Sequence, residues 1–365
     1  MRNKIKQIIF CVCISFTIYQ YAFSDDIKFT KIDDDLIGLT SKDISTLAID
    51  KNGHLWVGAR NQMIEFDGEN WNEHSEIFND IDYLKNPISG GRCLPSFGGS
   101  FYPSDIQVDN NNHVWTTYGL GLMEYDHRKW ISHNLEINGE KWCTSPDCFI
   151  IDEKDRIWMA YKDEIYILEE GKCKKYFSVF SEGTQRAVPS KFFLKCFDIS
   201  YLSIPPMEFL LLASTWGVLE FNINNKRLFN RTPKTKEQPF FVYSIEPGLD
   251  KYNLFTTREG ILEMKMLQSN NEWTSYMTSD INFSDGNFDR KQILKVFLDP
   301  NGQEWLITRL DLIGSLYKLN GKEAELVFSL KDVSTKTKSY QINDVLITDD
   351  NTMYIATNNG LYISE

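Results

Sequence analysis

The 365-residue sequence predicts an all-β fold, a seven-bladed β-propeller, on three observations. One phrase, an acidic turn, an aromatic and a Gly-Leu-like step into a second apolar run, recurs along the whole chain at a spacing of about 40 to 50 residues, the period of propeller blades. Each repeat holds several short β-rich runs closed by turn residues. The two ends complement each other: the last repeat is one run short, and a strand-like run with no repeat of its own precedes the first.

The phrase reads Asp50-Lys-Asn-Gly-His-Leu-Trp56-Val-Gly-Ala-Arg-Asn-Gln-Met-Ile-Glu-Phe66 the first time and Asp349-Asp-Asn-Thr-Met-Tyr354-Ile-Ala-Thr-Asn-Asn-Gly-Leu-Tyr362 the last. Aligned on the aromatic, the chain shows seven anchors, Trp56, Trp115, Trp158, Leu211, Leu254, Trp305 and Tyr354, between 43 and 59 residues apart. Five repeats carry a Gly downstream of the anchor (Gly121, Gly217, Gly260, Gly314 and Gly360), and Gln62 and Glu164 hold that place in repeats one and three.

The elements follow in chain order. Arg2, Lys4 and Lys6, the apolar stretch from Ile8 to Tyr19 and the small-x-small site Ala22-Phe23-Ser24 form a signal peptide, residues 1–24, with a mature chain from Asp25. A lipoprotein reading would need Cys11 or Cys13, which follow Phe10 and Val12 where a small residue is expected. The mature domain, 25–365, is then one propeller. Ile27 to Ile32 alternates like a strand and is expected to supply the outer strand of the seventh blade, latching the ring, because a propeller must close to hide its sheet edges.

Within each repeat an innermost strand precedes the anchor (Ile44 to Ile49, Ile106 to Val108, Phe149 to Ile151, Leu294 to Leu298, Ile342 to Ile347). A third run follows the Gly step (Met63 to Phe66, Leu122 to Tyr125, Val218 to Phe221, Ile261 to Met264), and a fourth contains Trp71, Trp130 or Trp273. Four antiparallel strands make one blade.

The stretch from Ile37 to Phe66 closely resembles the two-component regulator propeller repeat, with its Gly-Leu-Ser start, Asp-x-x-Gly-x-Leu-Trp-Ile-Gly-Thr centre and Asn-Gly-Leu step. The likeness covers residues 27 to 365, and is weak in repeats four and five, which lack the Trp. It implies a seven-bladed periplasmic sensing propeller. Such propellers usually precede a β-sandwich, a membrane helix and an output domain; none of these is seen after Glu365, so signalling would run through a separate membrane receptor or other partner protein.

Removing residues 1–24 takes the formal charge from −12 to −15. That argues against nucleic acid, whose backbone demands a basic face, and against non-specific binding to anionic lipid. Five cysteines stay in the mature chain: Cys93, Cys143, Cys148, Cys173 and Cys196. Export permits disulfides, and Cys143–Cys148 is the favoured pair, with no bond as the open alternative; Cys148 and Cys196 fall on neighbouring innermost strands. The Cys-x4-Cys spacing is not a zinc signal without a second pair.

The sequence contains no nucleophile elbow, zincin motif, phosphate loop or dinucleotide fingerprint, so no catalytic residue, cofactor or metal ligand is assigned. His54 and His113 share a repeat position two residues before the anchor and read as structural. The Asp-x-x-Gly turns at Asp50 and Asp299 lack the ligand pattern of a calcium loop and read as hairpin chemistry.

In a propeller, the blade-to-blade connections and the turns between second and third strands share one face, around the mouth of the channel. Four residues after the anchors come Arg60, Gly119, Lys162, Thr215, Arg258, Arg309 and Asn358, four of them basic. Arg60, Lys162, Arg258, Arg309 and Asn358, with Tyr118 and Trp216 to stack on sugar rings, are the expected ligand site for a carboxylated or sulfated ligand such as an acidic glycan fragment. Basic turn tips arising by chance, with Trp216 packed on a neighbouring loop, is the alternative. The Gly-rich segment Ser89 to Ser100 would add Arg92 and Phe97 as a lid, or be a plain insertion. A binding module is the expected function; a protein-interaction scaffold and a propeller lyase or lactonase are the alternatives.

Overall fold

The computed structural model describes residues 27–35, 37–74, 103–118, 121–134, 136–137, 140–141, 146–169, 171–178, 196–233, 241–247, 252–265, 272–286, 291–332 and 339–365. The chain is all-β, with seven blades of antiparallel strands. The expected signal peptide, residues 1–24, and the 89–100 segment lie outside these residues.

Blade 1 comprises Ile44–Ile49, Leu55–Ala59, Gln62–Phe66 and Trp71–Glu73, paired in that order. Five further blades repeat the pattern, with innermost strands Ile106–Val108, Cys148–Ile151, Cys196–Ile204, Val242–Pro247 and Lys291–Leu298. The sixth gains an extra edge strand, Asn282–Phe283, parallel to its outermost strand Glu323–Ser329. The seventh, Ile342–Ile347, Met353–Thr357 and Gly360–Ser364, takes its outer strand from the other end of the chain: Phe29–Lys31 pairs antiparallel with it, Phe29 opposite Ser364 and Lys31 opposite Tyr362.

The anchors are equivalent in register as well as in sequence. Trp56 pairs with Glu65, Leu211 with Glu220, Leu254 with Glu263 and Tyr354 with Ile363. Repeats four and five therefore keep the fold without the Trp.

The Asp turn explains the Trp. In four blades one carboxylate pins the hairpin and the anchor together: Asp50, Asp109, Asp152 and Asp299 each accept the backbone N–H groups two and four residues on and the indole N–H six on. Gly53 and Gly302 take the left-handed position of this turn (φ 84° and 78°), which Asn112 and Asp155 fill elsewhere. This is hairpin chemistry, as the sequence suggested.

The core is divided among the blade interfaces. Among the described residues there are seven buried apolar clusters, one between each pair of neighbouring blades, including blades 7 and 1. Strand alternation sends Leu210 and Leu212 to the interface with blade 3, and Leu211 and Ala213 to that with blade 5. A strand buried on both faces reads as a continuous apolar run, which is why Met207–Ser214 shows no polar alternation.

Candidate functional site

Five innermost strands carry a β-bulge near their start, after Ile44, Cys196, Val242, Ile293 and Ile342. A bulge turns one residue out of the ladder and re-aims its side chain. In blades 5 and 6 the extra residues are Tyr243 and Leu294, and both line a pocket of about 510 Å³ where these blades meet at the mouth. Phe241, Arg258, Gln292 and Arg309 complete its wall.

Two of the expected ligand residues thus converge. Arg258 sits in the turn after Tyr252–Thr257 and is exposed; Arg309 lies within the strand Glu304–Leu310, not at a turn tip, because blade 6 has a longer hairpin closed between Leu310 and Ile313. Arg309 Nη2 donates to Gln292 Oε1 at 2.9 Å. Among the described residues neither guanidinium has a carboxylate within ion-pair distance, whereas Arg156 and Arg231 are both matched to acids. Phe241 and Tyr243, both lining the pocket, stack with ring centroids 6.4 Å apart and planes 25° apart. Two unmatched guanidinium groups beside two aromatic rings suit a ligand with an acidic group and a flat apolar face.

Among the other expected residues, Arg60, Lys162, Trp216 and Asn358 do not join them. Arg60 pairs with Asp43 at 3.4 Å. Lys162 is exposed, with its ammonium 4.9 Å from the Tyr161 ring centroid. Trp216 is only 2% exposed and packs in the cluster between blades 3 and 4, so it presents no face for stacking; a turn residue next to two buried strands was drawn inward. Asn358 is taken up by its own connection, donating to Ser339 O and accepting from Gln341 N, both at 2.9 Å. Tyr118 ends the strand Val114–Tyr118, and its side chain is outside the description, as are Arg92 and Phe97.

Below the mouth lies a polar ring that the sequence reading missed. The residue two places before the anchor's partner on each innermost strand is Thr46, Asp105, Cys148, Asp198, Ser244, Lys295 and Asp344, one per blade. Two of these carboxylates join neighbouring blades by accepting a backbone N–H two residues past the bulge: Asp344 from Leu47 at 3.0 Å and Asp198 from Ile245 at 2.9 Å. Lys295 Nζ pairs with Asp344 at 3.0 Å. Burial, then the neighbouring carboxylates, pushes Asp105 up to about 6, and burial pushes Asp198 to about 6 and nearby Glu246 to about 7. Asp344 and the surrounding acids hold Lys295 firmly protonated.

Blades 1 and 2 also share a His–Glu–His array. Glu65 bridges His54 (2.7 Å) and His74 (3.0 Å), and Glu124 bridges His113 and His133 (2.7 Å each). Burial would raise both glutamates, but the histidine hydrogen bonds win and hold them below the usual carboxylate range. Ligand-type atoms of Asp50, His54 and Glu65 lie within 4.8 Å of one another, a grouping the sequence reading did not anticipate. Their hydrogen bonds to the hairpin and to each other account for the placement.

The family model described as "Two component regulator propeller" matches residues 38–61. The first blade carries that repeat. No curated protein matches. Among solved structures, the chain resembles the extracellular domain assigned to a one component system of B. thetaiotaomicron (14% identity, TM-score 0.62, 93% of this chain and 40% of that one). It also resembles the extracellular domain assigned to a hybrid two component system of the same organism (13%, TM-score 0.62, 93% and 42%). A virginiamycin B lyase from Staphylococcus aureus is similar as well (10%, TM-score 0.61, 93% and 98%). The chain spans about 40% of the length of the first of these, and at such identities the likeness shows the fold alone. Among the described residues no helix is long and apolar enough to cross a membrane.

Proposed function

We propose that this protein is an exported, sensor-type propeller that binds an anionic ligand, an acidic glycan fragment in the first instance, in the pocket between blades 5 and 6. The observation that carries the reading is the pair Arg258 and Arg309, unmatched by acids on a chain of net charge −12, facing Phe241 and Tyr243. The propeller repeat and the extracellular-domain neighbours support a sensing role.

The test is a thermal-shift screen of residues 25–365 against acidic and neutral oligosaccharides of equal length, at low and high salt. Stabilisation by the acidic series alone, fading with salt, is expected, since ligand binding raises the apparent stability by mass action and salt screens exposed charge pairs. Equal stabilisation by neutral sugars would refute the anionic reading. Consumption of the acidic sugar would identify a lyase instead.

A further inference from the structure

The innermost strands of blades 3 and 4 begin with a cysteine each, Cys148 and Cys196. Their sulfur atoms are 3.1 Å apart. That is inside the contact distance of two unbonded sulfurs and about 1 Å longer than a disulfide bond. Cys196 is 2% exposed and both side chains belong to the cluster between these blades. Cys173, by contrast, packs in the cluster between blades 2 and 3, and is not within reach of either.

We propose that Cys148 and Cys196 form a disulfide that staples blade 3 to blade 4 beside the channel. The bond requires export to an oxidising compartment, not the arginine pocket. The chemistry is exchange with a small-molecule or protein disulfide: one S–S bond of the oxidant breaks, the Cys148–Cys196 bond forms, and two thiols leave carrying the two protons. What is given up is small, the weak S–H hydrogen bonds from Cys148 to Cys196 Sγ and from Cys196 to Asp198 O at 3.2 Å. The bond would close a loop spanning 48 positions that contains the other strands of blade 3, so it ties together two strands otherwise joined only by that long path.

Burial, followed by the Cys196 neighbour, raises the Cys148 thiol well above its ordinary range. In the folded protein the pair is therefore slow to exchange, and the bond forms during folding or under strong oxidant. This pairing competes with the short Cys143–Cys148 loop that the spacing favours. Only one of the two can hold Cys148.

The test uses the chain from Asp25, refolded with glutathione disulfide, denatured, alkylated and digested without reduction. A peptide pair joining Cys148 to Cys196, about 2 Da lighter than the sum of the free peptides, is the expected product. Reduction, Cys148→Ser and Cys196→Ser should each lower the melting temperature by roughly 5 °C, with no further loss in the double variant, because all remove the same loop closure. Cys173→Ser should keep the link. Alkylation of both cysteines after oxidation, or a link from Cys148 to Cys143 or Cys93, would overturn the proposal. If a serine variant fails to fold, the peptide map of the unsubstituted chain still decides.

Discussion

Replacing Lys295 with methionine removes the one ammonium group that the described residues place among four channel carboxyls, Asp105, Asp198, Glu246 and Asp344, while keeping an apolar stem of similar length. Its ion pair with Asp344 is 3.0 Å long, with side-chain exposures of 39% and 16%. At an effective dielectric of about 20 such a pair gains roughly 5 kcal/mol before desolvation. Breaking a fully buried pair costs about 3–5 kcal/mol, so this half-open one is expected to cost about 2 kcal/mol at pH 7.5. The loss should shrink with acid. Asp105, Asp198 and Glu246 have folded values near 6, 6 and 7, above those of the unfolded chain, so the folded state binds the extra protons as pH falls through that window. Their charge then disappears, leaving Lys295 to pair with Asp344 alone. The assay is the melting temperature of wild type and Lys295→Met between pH 5 and 8. About 3 °C between the two at pH 7.5, narrowing to about 2 °C near pH 5, is expected. The wild type should itself gain stability between pH 7.5 and 5.5 from these three groups. A difference that is constant across the range, or that widens in acid, would show that the carboxyls are not coupled to the lysine as described.

Other expectations follow from single sites. Asp109→Ala removes the acceptor for Asn111 N, His113 N and the buried Trp115 indole, and should cost roughly 2–4 kcal/mol in urea unfolding; a loss under 1 kcal/mol would mean the turn holds without its pin. Gly260→Ala places a Cβ 2.1 Å from Tyr276 O at φ +147°, and should cost a similar 2–4 kcal/mol, because the clash outweighs the about 0.4–1 kcal/mol gained from a less flexible unfolded chain. Glu65 and Glu124 have lowered folded values, so they contribute stability above the usual carboxylate range that is lost as pH falls through those values. The double change Glu65→Gln, Glu124→Gln should flatten the acid limb of the stability profile below about pH 4.5, and an unchanged limb would contradict the His–Glu–His assignment.

The fold was legible because its repeat is enforced by chemistry with fixed offsets. An Asp that must reach N–H groups two, four and six residues on leaves the same spacing in Asp50, Asp109, Asp152 and Asp299. Arg258 and Arg309 were legible by the same alignment. Trp216, which the sequence offered either as a stacking face or as packed on a neighbouring loop, instead packs in the cluster between blades 3 and 4, because a turn position says nothing about which way a large apolar ring will go when a cluster lies beneath it. Phe241 and Tyr243 went unseen because a bulge, which redirects Tyr243, leaves no mark in a single repeat. The polar ring could have been found: it lies ten residues before the anchor in six repeats and thirteen before Leu211, whose first hairpin is longer. What hid it was composition, since Thr46, Asp105, Cys148, Asp198, Ser244, Lys295 and Asp344 share a place and not a residue type.

The anionic-ligand reading is tested most directly by calorimetric titration of residues 25–365 with an acidic oligosaccharide and its neutral counterpart, beside the variant Arg258→Ala, Arg309→Ala. Heat from the acidic sugar alone, a dissociation constant weakened at least about tenfold by the double change, and a melting temperature of the variant within a degree or two of wild type are predicted, because two charge-assisted contacts together exceed the roughly 1.4 kcal/mol that a tenfold change represents. Undiminished binding in the variant would place the ligand elsewhere on the propeller, and a variant that melts many degrees lower would assign the two arginines to holding blades 5 and 6 together.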